Sequence, residues 1–211
     1  MEESNIFSFE KSVKLPEKNL CSILEWKGNL ISAHIYPFDD NKGVYITTKS
    51  ESKRLWNERC YSLCIWKDNL VCGGYKVISI WNSNEELIME LKGNIGYINC
   101  VIEWNEYLVS GSNDNTIRIW NLNGNCERIL NGHTDEVYCL LIWNNHLVSG
   151  SFDKTIRIWN LNGDCLMILN GHSNGILSLL IFNNNLISGF YDTIFKFNFW
   201  PQYLKTFVFK E

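Results

Sequence analysis

Along residues 155–160, TIRIWN, apolar and polar side chains alternate, with Ile156 and Ile158 set between Thr155, Arg157 and Trp159. A period of two with β-branched residues predicts a strand on a pleated, half-covered surface. Upstream, Val137–Trp143 is a dense apolar run, the pattern of a strand covered on both faces. Downstream, Asn162-Gly163 offers two residues that tolerate positive φ, as a tight hairpin into the apolar CLMIL requires. The stretch therefore predicts four short antiparallel strands, 137–142, 147–151, 155–160 and 165–169, called a, b, c and d below.

The same pattern recurs. A shift of 39 residues lays Trp120 on Trp159, Trp104 on Trp143, Cys100 on Cys139, Ser110 on Ser149 and His133 on His172. A fixed period near 40 predicts stacked supersecondary units. Five full units are read, at about 19–58, 59–94, 95–133, 134–172 and 173–211, with residues 1–18 supplying two further strands as a partial blade or clasp. Unit four is complete. Unit one has a lengthened connection, PFDDNKG at 37–43, and Thr47 where Trp stands elsewhere. Unit two lacks one residue before strand c, and with it the turn Asp. Unit three keeps Ser110, Asp114 and Trp120 but has Asn94 where the His belongs; unit five keeps His172, Ser188 and Asp192, carries Phe197 in place of Trp, and ends in a candidate fourth strand at 204–209.

Gly132-His133, the SGS of residues 149–151, Asp153 and the Trp159 that closes TIRIW resemble, at these spacings, the WD-repeat β-propeller family. The short a-to-b turns are similar to those of F-box substrate-receptor propellers in particular. The resemblance implies an all-β fold, a β-propeller of four-stranded antiparallel blades with five WD repeats and the partial N-terminal unit. Three closures compete: a ring of five with the N-terminal strands as cover, a ring of six with a reduced blade, and an open arc that pairs with another chain. A compact ring of five is expected, because unpaired edges are templates for association. One departure is plain, since the Asp that follows the family's Trp is Asn here, at Asn82, Asn121 and Asn160.

A recurring Ser, His and Asp invites a hydrolase reading. The set appears in near-copy in two units, and no GxSxG-type elbow accompanies it, so no catalytic residue is assigned. The resemblance instead assigns these residues to internal hydrogen-bond chains. In unit four the chain runs from Trp159 through Ser149 and His133 to Asp153, with Ser110, Asp114 and Trp120 as its counterparts in unit three and His172, Ser188 and Asp192 in unit five.

Composition narrows the function. The 211 residues are 45% hydrophobic and 14% aromatic, enough for one packed domain, and the net charge of −4 leaves no basic footprint for nucleic acid. The opening residues lack a secretion signal and no apolar run is long enough to span a bilayer, so an intracellular, cytoplasmic protein without a membrane partner is expected. The eight cysteines trade with serine and apolar residues at fixed repeat positions and form no CxxC pair; reduced packing residues are expected, with no metal site and no cofactor. The aromatic position closing strand a (Trp26, Trp66, Trp104, Trp143, Phe182) reads as packing between blades or as a second binding ring. Arg118, Arg157 and Lys196 share one place on strand c, where stems that pack are favoured over a phosphate-reading cluster.

These features point to a non-catalytic scaffold for a protein partner, working as a monomer. The alternatives are a small-ligand or glycan-binding propeller and the substrate-recognition subunit of a ubiquitin ligase. The residue before the turn Asp should point to one face in successive blades. That position holds Asn113, Phe152 and Tyr191, with Tyr75 near it in unit two, and Asp39 and Asp40 of the long loop would give the same face an acidic rim.

Overall fold

The computed structural model describes residues 20–35, 43–48, 52–56, 58–190 and 193–197, and every regular element among them is a β-strand. Blade one is β1 (Leu20–Trp26), β2 (Asn29–His34), β3 (Gly43–Thr47) and β4 (Ser52–Trp56). Blade two is β5 (Ser62–Trp66), β6 (Asn69–Gly73), β7 (Tyr75–Trp81) and the first part of β8 (Leu87–Trp104). Blade three takes the rest of β8 with β9 (Tyr107–Ser112), β10 (Ile117–Trp120) and β11 (Cys126–Leu130). Blade four is β12 (Val137–Trp143), β13 (His146–Ser151), β14 (Ile156–Trp159) and β15 (Cys165–Leu169). Blade five shows β16 (Ser178–Phe182), β17 (Asn185–Phe190) and β18 (Thr193–Phe197). The strands expected before residue 19 and at 204–209, and most of the 37–43 loop, lie outside the described residues.

All pairings are antiparallel between chain neighbours, the product of tight hairpins. At the a-to-b turns of blades one, two, four and five both central residues are left-handed, as in Asn144 and Asn145 (φ 47° and 62°) or Asn183 and Asn184 (φ 47° and 59°), while in blade three Asn105 alone is (φ 56°). Those are the angles of a type I′ hairpin. The register equates Thr47, Trp81, Trp120, Trp159 and Phe197, each opposite the leucine second in its strand b.

The c-to-d turn differs from its expected form: of Asn162-Gly163 only Gly163 is left-handed (φ 92°). The Asn after the Trp does the remaining work. Asn160 Oδ1 accepts the Asp164 N–H at 2.9 Å, and Asn121 Oδ1 accepts those of Asn123 and Asn125. The amide nitrogens of Asn82, Asn121 and Asn160 donate to the carboxylates of Glu86, Glu127 and Asp164. An Asp here would set two carboxylates against each other, which gives the departure from the family pattern a physical reason.

The blades stack through four apolar cores, one at each junction. Between blades three and four, for example, Trp104, Val109, Ile117, Ile119 and Leu130 pack against Val137, Leu147 and Trp159. Corresponding sets join blades one to two, two to three and four to five. A closed ring of five would add a fifth core between blades five and one. Among the described residues there is none, and the side chains that would form it are exposed. The described blades therefore form an open arc, which corrects the expected ring.

Two other expectations change. Blades two and three are joined into one seven-stranded sheet because β8 runs unbroken from strand d of one into strand a of the next. The shortened b-to-c turn of blade two permits it, by bringing Tyr75 opposite Tyr97. Cys60 and Cys72, expected to be reduced, are joined in a disulfide. Their repeat positions, held elsewhere by an apolar residue and a serine, lie close enough here (Cα atoms 5.8 Å apart) for two thiols to meet.

Candidate functional site

Blade four carries a continuous polar chain in an otherwise apolar interior. Trp159 Nε1 donates to Ser149 Oγ at 2.9 Å, and Ser149 Oγ lies 2.7 Å from His133 Nε2. His133 Nδ1 lies 2.7 Å from Asp153 Oδ2. A neutral imidazole fits both ends, with Nδ1–H donating to the carboxylate and Nε2 accepting the serine proton. Asp153 is further held by the Thr155 hydroxyl at 2.7 Å and by the backbone N–H groups of Thr134 and Thr155. Sequence builds this locally: Ser149 comes from the SGS of strand b, Asp153 and Thr155 from the b-to-c turn, and His133 from the link into strand a.

Burial lowers the His133 pKa, opposed by the hydrogen bond and charge of Asp153, so the imidazole is held neutral. Burial works to raise Asp153, but the hydrogen bonds from Thr155 and His133 outweigh it and the carboxyl ends below its usual value. The Ser, His and Asp spacing mimics a hydrolase triad. Ser149 is fully buried, however, and its oxygen already accepts the indole N–H, so no substrate carbonyl can reach it.

The neighbouring sets are partial. In blade three Trp120 Nε1 donates to Ser110 Oγ at 2.9 Å, and Asp114 accepts from Thr116 and from the Ile95 N–H. Asn94, in the histidine's place, is buried with neither end of its amide hydrogen-bonded. In blade five His172 Nε2 meets Ser188 Oγ, and Asp192 lies outside the described residues. Blade one improvises: His34, on strand b itself, reaches Ser32 Oγ at 3.0 Å. Nothing in the repeat spacing pointed to His34. Among the described residues no group of three His, Cys, Asp or Glu side chains is placed to hold a metal ion.

The exterior at the b-to-c turns is aromatic. Tyr97 lies between Tyr61 and Tyr75, with ring centroids 5.0 and 4.9 Å away, and Lys76 Nζ sits 5.0 Å from the Tyr75 ring centre. Tyr75 is 51% exposed and nearby Ile95 is 71% exposed. An open cavity of about 740 Å³ adjoins them, lined by Trp56, Arg59, Tyr75 and Tyr97 with Glu58 and Glu90. Phe152 is exposed at its turn, its ring 5.0 Å from that of Tyr138. Asn113, by contrast, is spent inside its turn, its Oδ1 accepting the Tyr97 N–H at 2.7 Å. Tyr191, Asp39 and Asp40 lie outside the described residues. Tyr61 and Tyr97, which the repeat spacing did not single out, complete the cluster; the signal was a tyrosine next to the opening residue of strand a in units two, three and four (Tyr61, Tyr97 and Tyr138).

In blades one to four the aromatic position closing strand a is packing, as Trp26, Trp66, Trp104 and Trp143 are buried and Trp104 Nε1 donates to the Asn145 carbonyl of the next blade, whereas Phe182 of blade five is exposed. Arg157 lies over its own Trp159 ring, 6.0 Å from the centre, so its stem and head are used within the blade.

Two segments, residues 85–121 and 124–160, match the family described as WD domain, G-beta repeat. Both end on the Trp-Asn pair that closes strand c. The crystal structure of the computationally designed Ika8 protein is similar, with TM-score 0.70 and 22% identity over 84% of this chain and 57% of that one. The designed Ika4 protein gives 0.61 and 26% over 66% of this chain and 91% of that one. The WD40 beta propeller domain of Doa1 gives 0.68 and 18% over 83% and 63%. No curated protein sequence matches the chain. The fold is a WD-repeat β-propeller, and the chain spans 57% of the length of the first of these structures.

Proposed function

We propose that the chain is a non-catalytic scaffold that holds a protein partner on the face bearing the b-to-c turns. WD40 propellers generally serve as interaction scaffolds, and the choice of face rests on one observation: the Tyr61, Tyr97 and Tyr75 stack ends in an exposed Tyr75 beside an exposed Ile95. Aromatic side chains left in water gain nothing for a turn and are enriched at the desolvated centres of interfaces. A glycan reading would need one repeated polar and aromatic set per blade. The described turns hold Tyr75, Asn113 and Phe152 instead, three different chemistries. The two-residue a-to-b turns, which resemble those of F-box substrate receptors, favour a finer reading in which the partner is a substrate for a ubiquitin ligase assembled on another chain.

Proximity labelling with the full chain tests the face. Tyr75→Ala combined with Phe152→Ala should remove the enriched proteins, a loss of more than about 2 kcal/mol in binding if these are hot spots. Leu122→Ala, exposed at a c-to-d turn on the opposite face, should leave them in place. An unchanged set in the double variant would move the partner to another surface.

A further inference from the structure

Blade two has lost every member of the polar chain that ties the link before strand a to strand b in blade four. Cys72 stands where Ser110, Ser149 and Ser188 stand, Trp56 lies as far before Cys60 as His133 lies before Val137, and the turn Asp is missing. Trp56 packs against Trp81 instead, with ring centroids 5.8 Å apart. A covalent tie takes over. Cys60 leads into strand a and Cys72 lies on strand b, so their disulfide joins the two parts of the blade that His133 and Ser149 join by a hydrogen bond. Both cysteines are buried in the core shared by blades one and two. Tyr61, next in the chain to Cys60, is the first ring of the stack that runs through Tyr97 to the exposed Tyr75. Its N–H donates to the carbonyl of Gly73, the neighbour of Cys72, at 2.8 Å, and the Leu63 N–H donates to Ser22 Oγ of blade one at 3.1 Å. The tie therefore lies at the root of the aromatic cluster.

The opened state is provided for as well. Ser79 lies directly opposite Cys72 across strands b and c, fully buried and with no hydrogen-bond partner for its hydroxyl, and a free Cys72 thiol on the same face of the sheet would supply one. We propose that Cys60 and Cys72 form a redox-controlled tie, which fixes the Tyr61, Tyr97 and Tyr75 stack when oxidised and frees the link into strand a when reduced. The proposal rests on the reading of the b-to-c face as the binding surface and names the regulation of that surface. Opening takes two electrons and two protons. Two equivalents of a small thiol are oxidised to their disulfide as the S–S bond breaks and two S–H bonds form, and an oxidised thiol reverses the exchange. Since both sulfurs are buried, the reagent enters through local opening of the link, which is exposed at Glu58.

Alkylation of the full chain in denaturant, counted by mass, should trap six thiols after treatment with oxidised glutathione and all eight cysteines after dithiothreitol. In the folded protein, reduction should speed amide hydrogen exchange about tenfold at Tyr61 and Leu63. Strand β12, whose link is held by His133, should not respond. Cys72→Ser installs the serine of the other blades and Cys60→Val the residue of blade four; each should exchange like the reduced wild type and ignore dithiothreitol. Eight thiols trapped under oxidising conditions would overturn the proposal, as would exchange that does not change on reduction. Proximity labelling after a pulse of the thiol oxidant diamide should enrich partners more in the wild type than in Cys72→Ser. Equal enrichment would overturn the control of the face, while loss of the same proteins in the Tyr75→Ala, Phe152→Ala chain would keep the face itself. If that double variant also retains them, the reading of the face fails and the exchange result decides the tie.

Discussion

Blades three and four share IRIW on strand c and VSGS on strand b, and in each the indole donates to the strand-b serine at 2.9 Å. They part at the residue leading into strand a. His133 is long enough to bridge Ser149 and Asp153, whereas Asn94 is too short, and both ends of its buried amide lack hydrogen bonds. The backbone differs with it. Around His133 the chain leaves the ladder from 131 to 136 to make a polar turn, while around Asn94 it stays extended as part of β8. One imidazole therefore satisfies the interior polar groups and marks where one blade ends. At the link into blade three, where it is missing, the chain pairs with the neighbouring turn, and blades two and three are joined in one sheet.

The largest effect expected is from Trp159→Ala, about 3 to 5 kcal/mol for a buried aromatic of this size. Trp120→Ala should cost a similar amount, since both indoles are buried and bonded to serine. Urea unfolding of the two variants measures this, and a marked disparity would mean that the blades are not equivalent at their cores.

His133→Asn would turn blade four into a copy of blade three and should cost about 1 to 3 kcal/mol by stranding Ser149 and Asp153. It should also change the pH dependence. Burial lowers the His133 pKa, so the folded state binds fewer protons than the unfolded chain, and wild-type stability should fall as pH drops below the ordinary histidine value. Asp153, also lowered, adds a second loss at more acid pH, below the ordinary carboxylate value. Unfolding midpoints at about pH 7 and about pH 5 should differ less in the variant than in the wild type. His172, lowered by burial, keeps part of that slope in both. An unchanged difference would place the titration elsewhere.

Asn94→His is the smallest and the only stabilising change, worth about 1 kcal/mol if the new imidazole reaches Ser110 and Asp114. A rise in the urea midpoint checks it. No rise would show that the extended link holds residue 94 away from both partners.

Much of this was legible from residues alone. The alternation in TIRIWN and the apolar run of strand a each specify local geometry, and strands 137–143, 146–151, 156–159 and 165–169 follow within a residue or two. The fixed offsets of Trp159, Ser149, His133 and Asp153 bring them together because each sits at a defined place on a strand or turn. Less legible was the choice among residues of one type: Phe152 and Asn113 occupy one repeat position, yet Phe152 is exposed and Asn113 is bound inside its turn.

What sequence determined, then, is whatever a single blade can decide within its own forty residues: the strands, their register, the turns and the buried polar chain. Tertiary structure decided how blades meet. Leu20 and Val137 hold the same place in their strands and are both apolar, but one is exposed and the other buried, because burial there depends on whether a preceding blade is present and not on the residue itself. The fused sheet around β8 is likewise a product of neighbours meeting. Closure is a property of the summed rotations between blades, and no pattern repeated identically in every unit can encode where that sum ends.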